Sequence, residues 1–235
     1  MKPYQEIAIV ECGEAIAAIP LEQFAVESPH PYQKLGASYG ALSPYYLRQS
    51  VLDSLKVAQT LLQQVHQGWQ IKIFDAYRPV EVQQFMVDYT FAEVVQARKL
   101  NLTELTEAQR QEIWEQVYQF WAFPNFNPAT PPPHSTGAAV DVTLVDGTGK
   151  TVNMGTQIDE ISPASYPDYY ADITDAAQQQ YHIYRQLLNS VMRKAGFRRH
   201  PNEWWHFSLG DQMWAWAYNQ ENPAQPMTAR YGRLV

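Results

Sequence analysis

Two segments hold the side chains best suited to chemistry, "PPPHSTGAAVDVTL" at 131–144 and "HPNEWWHFSLGD" at 200–211. In the first, His134 and Asp141 are separated by Gly137, which lets the backbone turn tightly ahead of a strand. Asp141 alternates with Val140 and Val142. A carboxylate among core valines is costly unless it is paired or coordinates a metal. In the second, alternation puts Trp205, Phe207 and Leu209 on one strand face and Trp204, His206 and Ser208 on the other. If the two strands are neighbours, His134, Asp141 and His206 converge. Two imidazoles and one carboxylate then form a three-ligand site with an open position, the pattern of catalytic zinc. Taken singly, each residue has a plainer reading, as a loop-capping or Arg-paired Asp or a surface His.

Glu203 is the candidate general base for a metal-activated water. A regular strand would turn it away from His206, so a bulge or turn at 202–204, next to Pro201 and Asn202, is expected to bring it round. A strand regular through Glu203 would make it an ordinary solvated acid. Trp204 is expected to wall the site. In "FDAYRP", Arg78 ends a strand between Tyr77 and Pro79, where a guanidinium could polarise a carbonyl or bind a carboxylate. The plainer alternative is an ion pair with Asp75.

Positioning these groups requires a framework, and the pattern supplies one. Val51, Leu55, Ala58, Leu62 and Val65 form the stripe of an amphipathic helix over 46–66. "WQIKIFDAYRP" reads as a strand, and Pro79 opens a helix over about 80–98 with Val82, Phe85, Met86 and Tyr89 inward. Thr106 caps a further helix to about 121. "AAVDVTLVDGTGKTV" predicts a hairpin turning at Asp146-Gly147 and Gly149. Tyr181, Tyr184, Leu188, Val191 and Ala195 mark a last long helix, stopped by Gly196, and the 200–211 stretch comes next as a strand. Residues 155–175 read as irregular, and a short strand is expected near Glu6–Val10. The sum is an α+β fold in one domain over 1–235, with a central, mainly antiparallel sheet, helices packed on one side and the zinc site on the sheet. The segment 1–45 and the tail 211–235 are the least patterned parts.

Composition bounds the partners. The 235 residues are 46% hydrophobic and carry 17 basic and 24 acidic side chains, a net charge of −7. No basic run stands out, so nucleic acid and anionic membranes are poor partners. The single cysteine, Cys12, excludes an internal disulfide and a cysteine-based zinc site. The opening "MKPYQEIAIVECGEAIAAIP" lacks a signal-type apolar run, so a cytoplasmic protein is expected.

The stretch from His134 to Asp141 resembles the H-x-x-G-x-A-x-D motif of the zinc D,D-peptidases, and Glu203-Trp204-Trp205-His206 resembles their E-x-W-H motif. "FDAYRP" with the next "VEVQQFM", "MGTQID" at 154–159 and "VMRKAGF" narrow the resemblance to the D-alanyl-D-alanine dipeptidases, the family of the vancomycin-resistance dipeptidase, over roughly residues 50–210. The resemblance implies a cytoplasmic enzyme with one Zn2+ that cleaves a small D,D-dipeptide. It implies His134, Asp141 and His206 as ligands, Glu203 as base and then proton donor, Arg78 as oxyanion stabiliser and Asp159 as holder of the substrate ammonium. Pro132 departs from the family pattern, which has Ser there. The competing readings are a D,D- or L,D-carboxypeptidase acting on peptidoglycan peptides, and a zinc-bearing binding module in which the same site does no chemistry.

Overall fold

The computed structural model describes residues 2–160 and 162–234. In chain order the strands and α-helices are β1 (Ile16–Ala18), β2 (Ala25–Val26), α1 (Pro31–Lys34), β3 (Tyr46–Arg48), α2 (Gln49–Val65), β4 (Gln70–Asp75), α3 (Val80–Ala97), α4 (Glu107–Phe120), β5 (Ala139–Val145), α5 (Ala176–Lys194), β6 (Arg198–Arg199), β7 (His206–Ser208) and α6 (Gln212–Glu221). Five strands form the main sheet in the order β2-β4-β5-β7-β6, and β1 pairs with β3 separately. Only the β2–β4 pair is parallel. The architecture is the expected α+β class.

Strand alternation sorts the central strands. Ile71, Ile73, Val140, Val142 and Leu144 enter one core with Val51, Leu55 and Leu62 of α2 and Leu188 and Val191 of α5. Asp141 and Thr143 therefore project from the opposite face. One irregularity matters for the site. The β4–β5 register runs Ile73↔Val142 and then Asp75↔Asp141, so Phe74 is an extra residue. Such a bulge reverses the parity after it, and Asp75 turns to the face that carries Asp141. Since Asp141 pairs with His206, three strands present Asp75, Asp141 and His206 side by side.

Several expectations need correction. The predicted hairpin has its turn but not its second strand. Asp146 Oδ1 accepts from the backbone N–H groups of Thr148 and Lys150, while the return is a single Val145–Thr151 bridge. The partners of β5 are instead β4 and β7, which are distant in sequence. Residues 46–48 are strand rather than the start of α2, and Val65 is exposed because the apolar stripe outruns the helix's covered length. In α3, Val82 and Met86 are buried, but Phe85 and Tyr89 are half-buried and stack on each other. No strand covers Glu6–Val10. Pro3 starts a 3-10 turn to Glu6, and Ile9 makes one bridge to Ala229. The 200–211 stretch is strand only from His206 to Ser208, and the tail contains α6. No helix among the described residues is long and apolar enough to cross a membrane.

Candidate functional site

His134 lies on a 3-10 turn, Pro133–Thr136, ended by Gly137 at φ 69°, a left-handed conformation that suits glycine. The turn folds His134 back so that its Nδ1 is 2.7 Å from the Ala76 carbonyl oxygen. A carbonyl only accepts, so Nδ1 carries the proton and Nε2 bears a lone pair. That Nε2 is buried, makes no hydrogen bond and lies 3.1 Å from Asp141 Oδ2.

His206 is locked the other way round. Ser208 Oγ donates to Asp211 Oδ2 at 2.8 Å, which leaves the Ser208 oxygen to accept from His206 Nε2 at 3.4 Å. The lone pair is then on Nδ1, which lies 2.9 Å from Asp141 Oδ1. Two imidazole lone pairs thus face the two oxygens of one buried carboxylate. Acceptors opposed in this way repel unless a cation lies among them. One donor atom from each of His134, Asp141 and His206 falls within 4.8 Å of the others. This nitrogen, nitrogen and oxygen donor set fits Zn2+.

Glu203 reaches the cluster from a break in the strand. Residues 201–202 form a turn and 204–205 a bend, and regular pairing starts at His206. Glu203 Oε2 is consequently 3.9 Å from His206 Nδ1, with the side chain 39% exposed toward the adjoining cavity. His200, whose pKa burial pushes down to about 4, stays neutral beside it.

Arg78 enters from the end of β4. Its Nε lies 3.1 Å from Asp75 Oδ2, and its guanidinium sits over the rings of Tyr32, at 5.5 Å, and Trp121, at 6.0 Å. Burial opposes its charge, but the Tyr32 hydroxyl and the carboxylates of Asp75, Asp141 and Asp159 raise its pKa. The ion pair with Asp75 that the sequence offered is present, and it holds the guanidinium beside the turn that carries His134. Tyr32 in turn donates to Asp159 Oδ2 at 3.0 Å. Asp159 has its surface open to the cavity, yet crowding by protein and then the Asp141 charge push its carboxyl up to about 6.

Glu203 and Asp159 border one open cavity of about 840 Å³, with Tyr118, Trp121, Ser162 and Trp205 among its walls. Trp204 does not join it. It is 1% exposed, donates from Nε1 to Thr156 Oγ1 at 2.8 Å and borders a different cavity beside Thr143. Trp205 takes the place expected of Trp204, because the bend at 204–205 breaks the alternation. His30 and Tyr32 escaped sequence reasoning, and Asp75 was read there only as a possible partner of Arg78. His30 Nε2 faces Asp75 Oδ1 at 3.4 Å from a loop with no periodicity to flag it. For Asp75 the usable signal was its spacing of three from Arg78.

Comparison with known proteins places the chain in a family. The model of the M15 peptidase family, described as D-Ala-D-Ala dipeptidase, matches residues 25–227. A D-alanyl-D-alanine dipeptidase of Synechocystis sp. is 51% identical over 240 residues, which is 100% of this chain and 97% of that protein. One of Enterococcus faecium is 27% identical over 175 residues, 74% of this chain and 76% of that protein. Among solved structures, a vancomycin-resistance D,D-pentapeptidase VanY mutant in complex with Zn(II) aligns at 17% identity and TM-score 0.43, covering 79% of this chain and 82% of the other. The match runs through both segments that carry the His-Asp-His cluster and Glu203, and the chain belongs to the M15 peptidase family of D-Ala-D-Ala dipeptidases.

Proposed function

We propose that the chain hydrolyses D-Ala-D-Ala with one Zn2+ held by His134, Asp141 and His206. The observation that carries this reading is the pair of opposed tautomer locks. Ala76 and Ser208 each occupy one ring nitrogen, so that the other two face Asp141 with Glu203 beside them. Bound zinc would supply a Lewis acid for the peptide carbonyl and lower the pKa of a coordinated water from roughly 15.7 to about 7.

The protein's own groups do the rest. Glu203 takes the proton of the attacking water on its carboxylate and delivers it to the amine nitrogen as the C–N bond breaks. Neutral His200 adds no competing charge next to that transfer. Arg78, fixed through Nε by Asp75, directs its remaining N–H groups at the developing oxyanion. Loss of such a donor costs roughly 2.7–4 kcal/mol of transition-state stabilisation. Asp159 accepts the substrate ammonium. Trp204 acts at one remove, by packing beneath the bend that carries Glu203.

The test is a hydrolysis panel on zinc-loaded protein, with dipeptides of each stereochemistry and a peptidoglycan pentapeptide. Preference for D-Ala-D-Ala is expected. Preference for the pentapeptide would replace this reading by a D,D-carboxypeptidase, and no hydrolysis at all would leave a zinc-bearing binding module. Glu203→Gln is expected to lose turnover and keep zinc by atomic absorption, whereas His206→Ala is expected to lose the metal.

A further inference from the structure

We propose that Lys2, from the N-terminal turn, binds the carboxylate of the dipeptide substrate. The inference rests on the dipeptidase reading and adds to it the group that recognises the other end of the molecule.

A zwitterionic dipeptide carries an ammonium on one side of its scissile amide and a carboxylate on the other. The cavity is built with matching asymmetry. Among the described residues its charged walls are Asp159, Glu160 and Glu203 together with one cation, Lys2. Asp159 belongs to the flank of Tyr32 and Arg78. Lys2 belongs to the other flank. Its turn is tied there by α6, where Gln212 donates to the Ile7 carbonyl and the adjacent Asp211 accepts from Ser208 on the strand of His206. Glu203 and the His-Asp-His cluster lie between the two flanks, where the scissile carbonyl must sit. Arg78 is already held by Asp75 and faces the oxyanion. The run Pro131-Pro132-Pro133 ahead of His134 has no N–H to offer a carboxylate. Ser162 and Asn202 offer the cavity neutral donors, and Lys2 offers the positive charge that meets a carboxylate.

The turn that carries Lys2 is fixed in place. Gln212, 3% exposed, donates from Nε2 to the carbonyls of Ile7 at 2.7 Å and Ala129 at 3.0 Å. The backbone N–H of Lys2 itself donates to Gln5 Oε1 at 2.8 Å. The ammonium rests 5.8 Å from the centroid of the Tyr4 ring, a site from which a flexible four-carbon stem can swing to a ligand. The N-terminal turn is thus one wall of the substrate cleft, with a positive charge at its edge.

The experiment measures binding, so that it stands apart from turnover. Zinc-loaded Glu203→Gln protein, with and without Lys2→Met, is titrated calorimetrically with D-Ala-D-Ala and with its C-terminal amide. Lys2→Met is expected to weaken binding of the acid by about tenfold and of the amide by less than about twofold, with Lys2→Arg restoring the acid. Equal weakening of acid and amide, or no weakening of either, would overturn the inference. Failure of both ligands to bind overturns it together with the dipeptidase reading. Turnover is measured on the chain with Glu203 intact. An acid-selective Lys2 effect without turnover would sink the catalytic reading alone.

Discussion

Arg185 offers the sharpest test of how the cavity wall is held. It is a fully buried guanidinium on α5, and among the described residues no carboxylate pairs with its fork. Its Nε donates to the Met154 carbonyl at 2.8 Å, Nη1 to the Tyr166 carbonyl at 3.0 Å and Nη2 to Thr156 Oγ1 at 3.3 Å. The rings of Tyr170 and Trp204 cover it at 4.8 and 5.2 Å. Burial pulls its pKa down to about 10, so it remains charged at neutral pH. The three acceptors bracket the segment that carries Asp159 and Glu160, which makes Arg185 the staple of that wall. Arg185→Met keeps the apolar stem and removes the donors. The Met154 carbonyl, on a residue 2% exposed, is then left unsatisfied, while the carbonyl of the exposed Tyr166 regains water in part. At about 1–3 kcal/mol for each unpaired buried group, the net loss is roughly 3 kcal/mol. For a chain of this size that lowers Tm by about 6–12 °C. Differential scanning calorimetry reads the first effect, and a raised KM with full zinc occupancy reads the second. A Tm within about 2 °C of the parent, or zinc loss with KM unchanged, would refute the staple argument.

Three further outcomes are expected. Because Asp159 accepts an ammonium only when ionised and its carboxyl is pushed up to about 6, kcat/KM should fall as the pH drops through about 6, and that limb should be missing in Asp159→Asn, whose kcat/KM is low throughout. Gly155 has φ 90°, and a Cβ there would lie 2.6 Å from Tyr170 Cε2 and 2.7 Å from Tyr181 Cδ2, so Gly155→Ala should cost roughly 2–4 kcal/mol by chemical denaturation. Thr106 and Gln109 form a reciprocal cap on α4, so Thr106→Ala should cost about 1 kcal/mol, a Tm drop of about 2–4 °C, with kcat/KM unmoved.

How a feature is encoded decided whether the sequence could convey it. The faces of β4 and β5 and the core stripes of α2 and α5 were legible because burial repeats along them at the period of the element. The bulge at Phe74 was not, because one inserted residue leaves the apolar pattern of Ile71 and Ile73 unchanged and reverses only the positions beyond it. Asp75 thereby passed for a partner of Arg78 alone, when it also faces His30 and borders the Asp141 row. The hairpin at 146–149 announced its turn residues accurately, yet a turn does not dictate a long return strand when the edge of β5 is claimed by β7. Helix α6 was missed because its buried positions, Gln212, Met213 and Ala215, trace no broad apolar stripe. Its cap, Asp211 accepting from the Trp214 N–H at 2.8 Å, was the signal to hand. The convergence of His134, Asp141 and His206 was legible for a different reason. Acid and imidazole at apolar strand positions are too costly to be incidental, so their placement carries information that no periodicity does.

The two adjacent tryptophans show why the base could be placed only in part. Alternation assigns neighbours to opposite faces, and Trp204 and Trp205 do diverge, with rings 89° apart and centroids at 5.4 Å. Alternation cannot say where a strand begins, and here it begins one residue after the pair, at His206. Trp204 is drawn down by Thr156 and the Arg185 guanidinium, while the Trp205 carbonyl still accepts from the Val142 N–H at 3.0 Å. The bend is therefore held at both of its residues, one by side chain and one by backbone. Across such a bend, residues three apart approach one another, as they do in a turn. That is what brings Glu203 to 3.9 Å from His206 Nδ1. An extended strand would send the carboxylate to the other face, since its side chains alternate and three steps change side. The indoles are structural, and the irregularity they clamp sets the distance between Glu203 and His206 on which the proposed base depends.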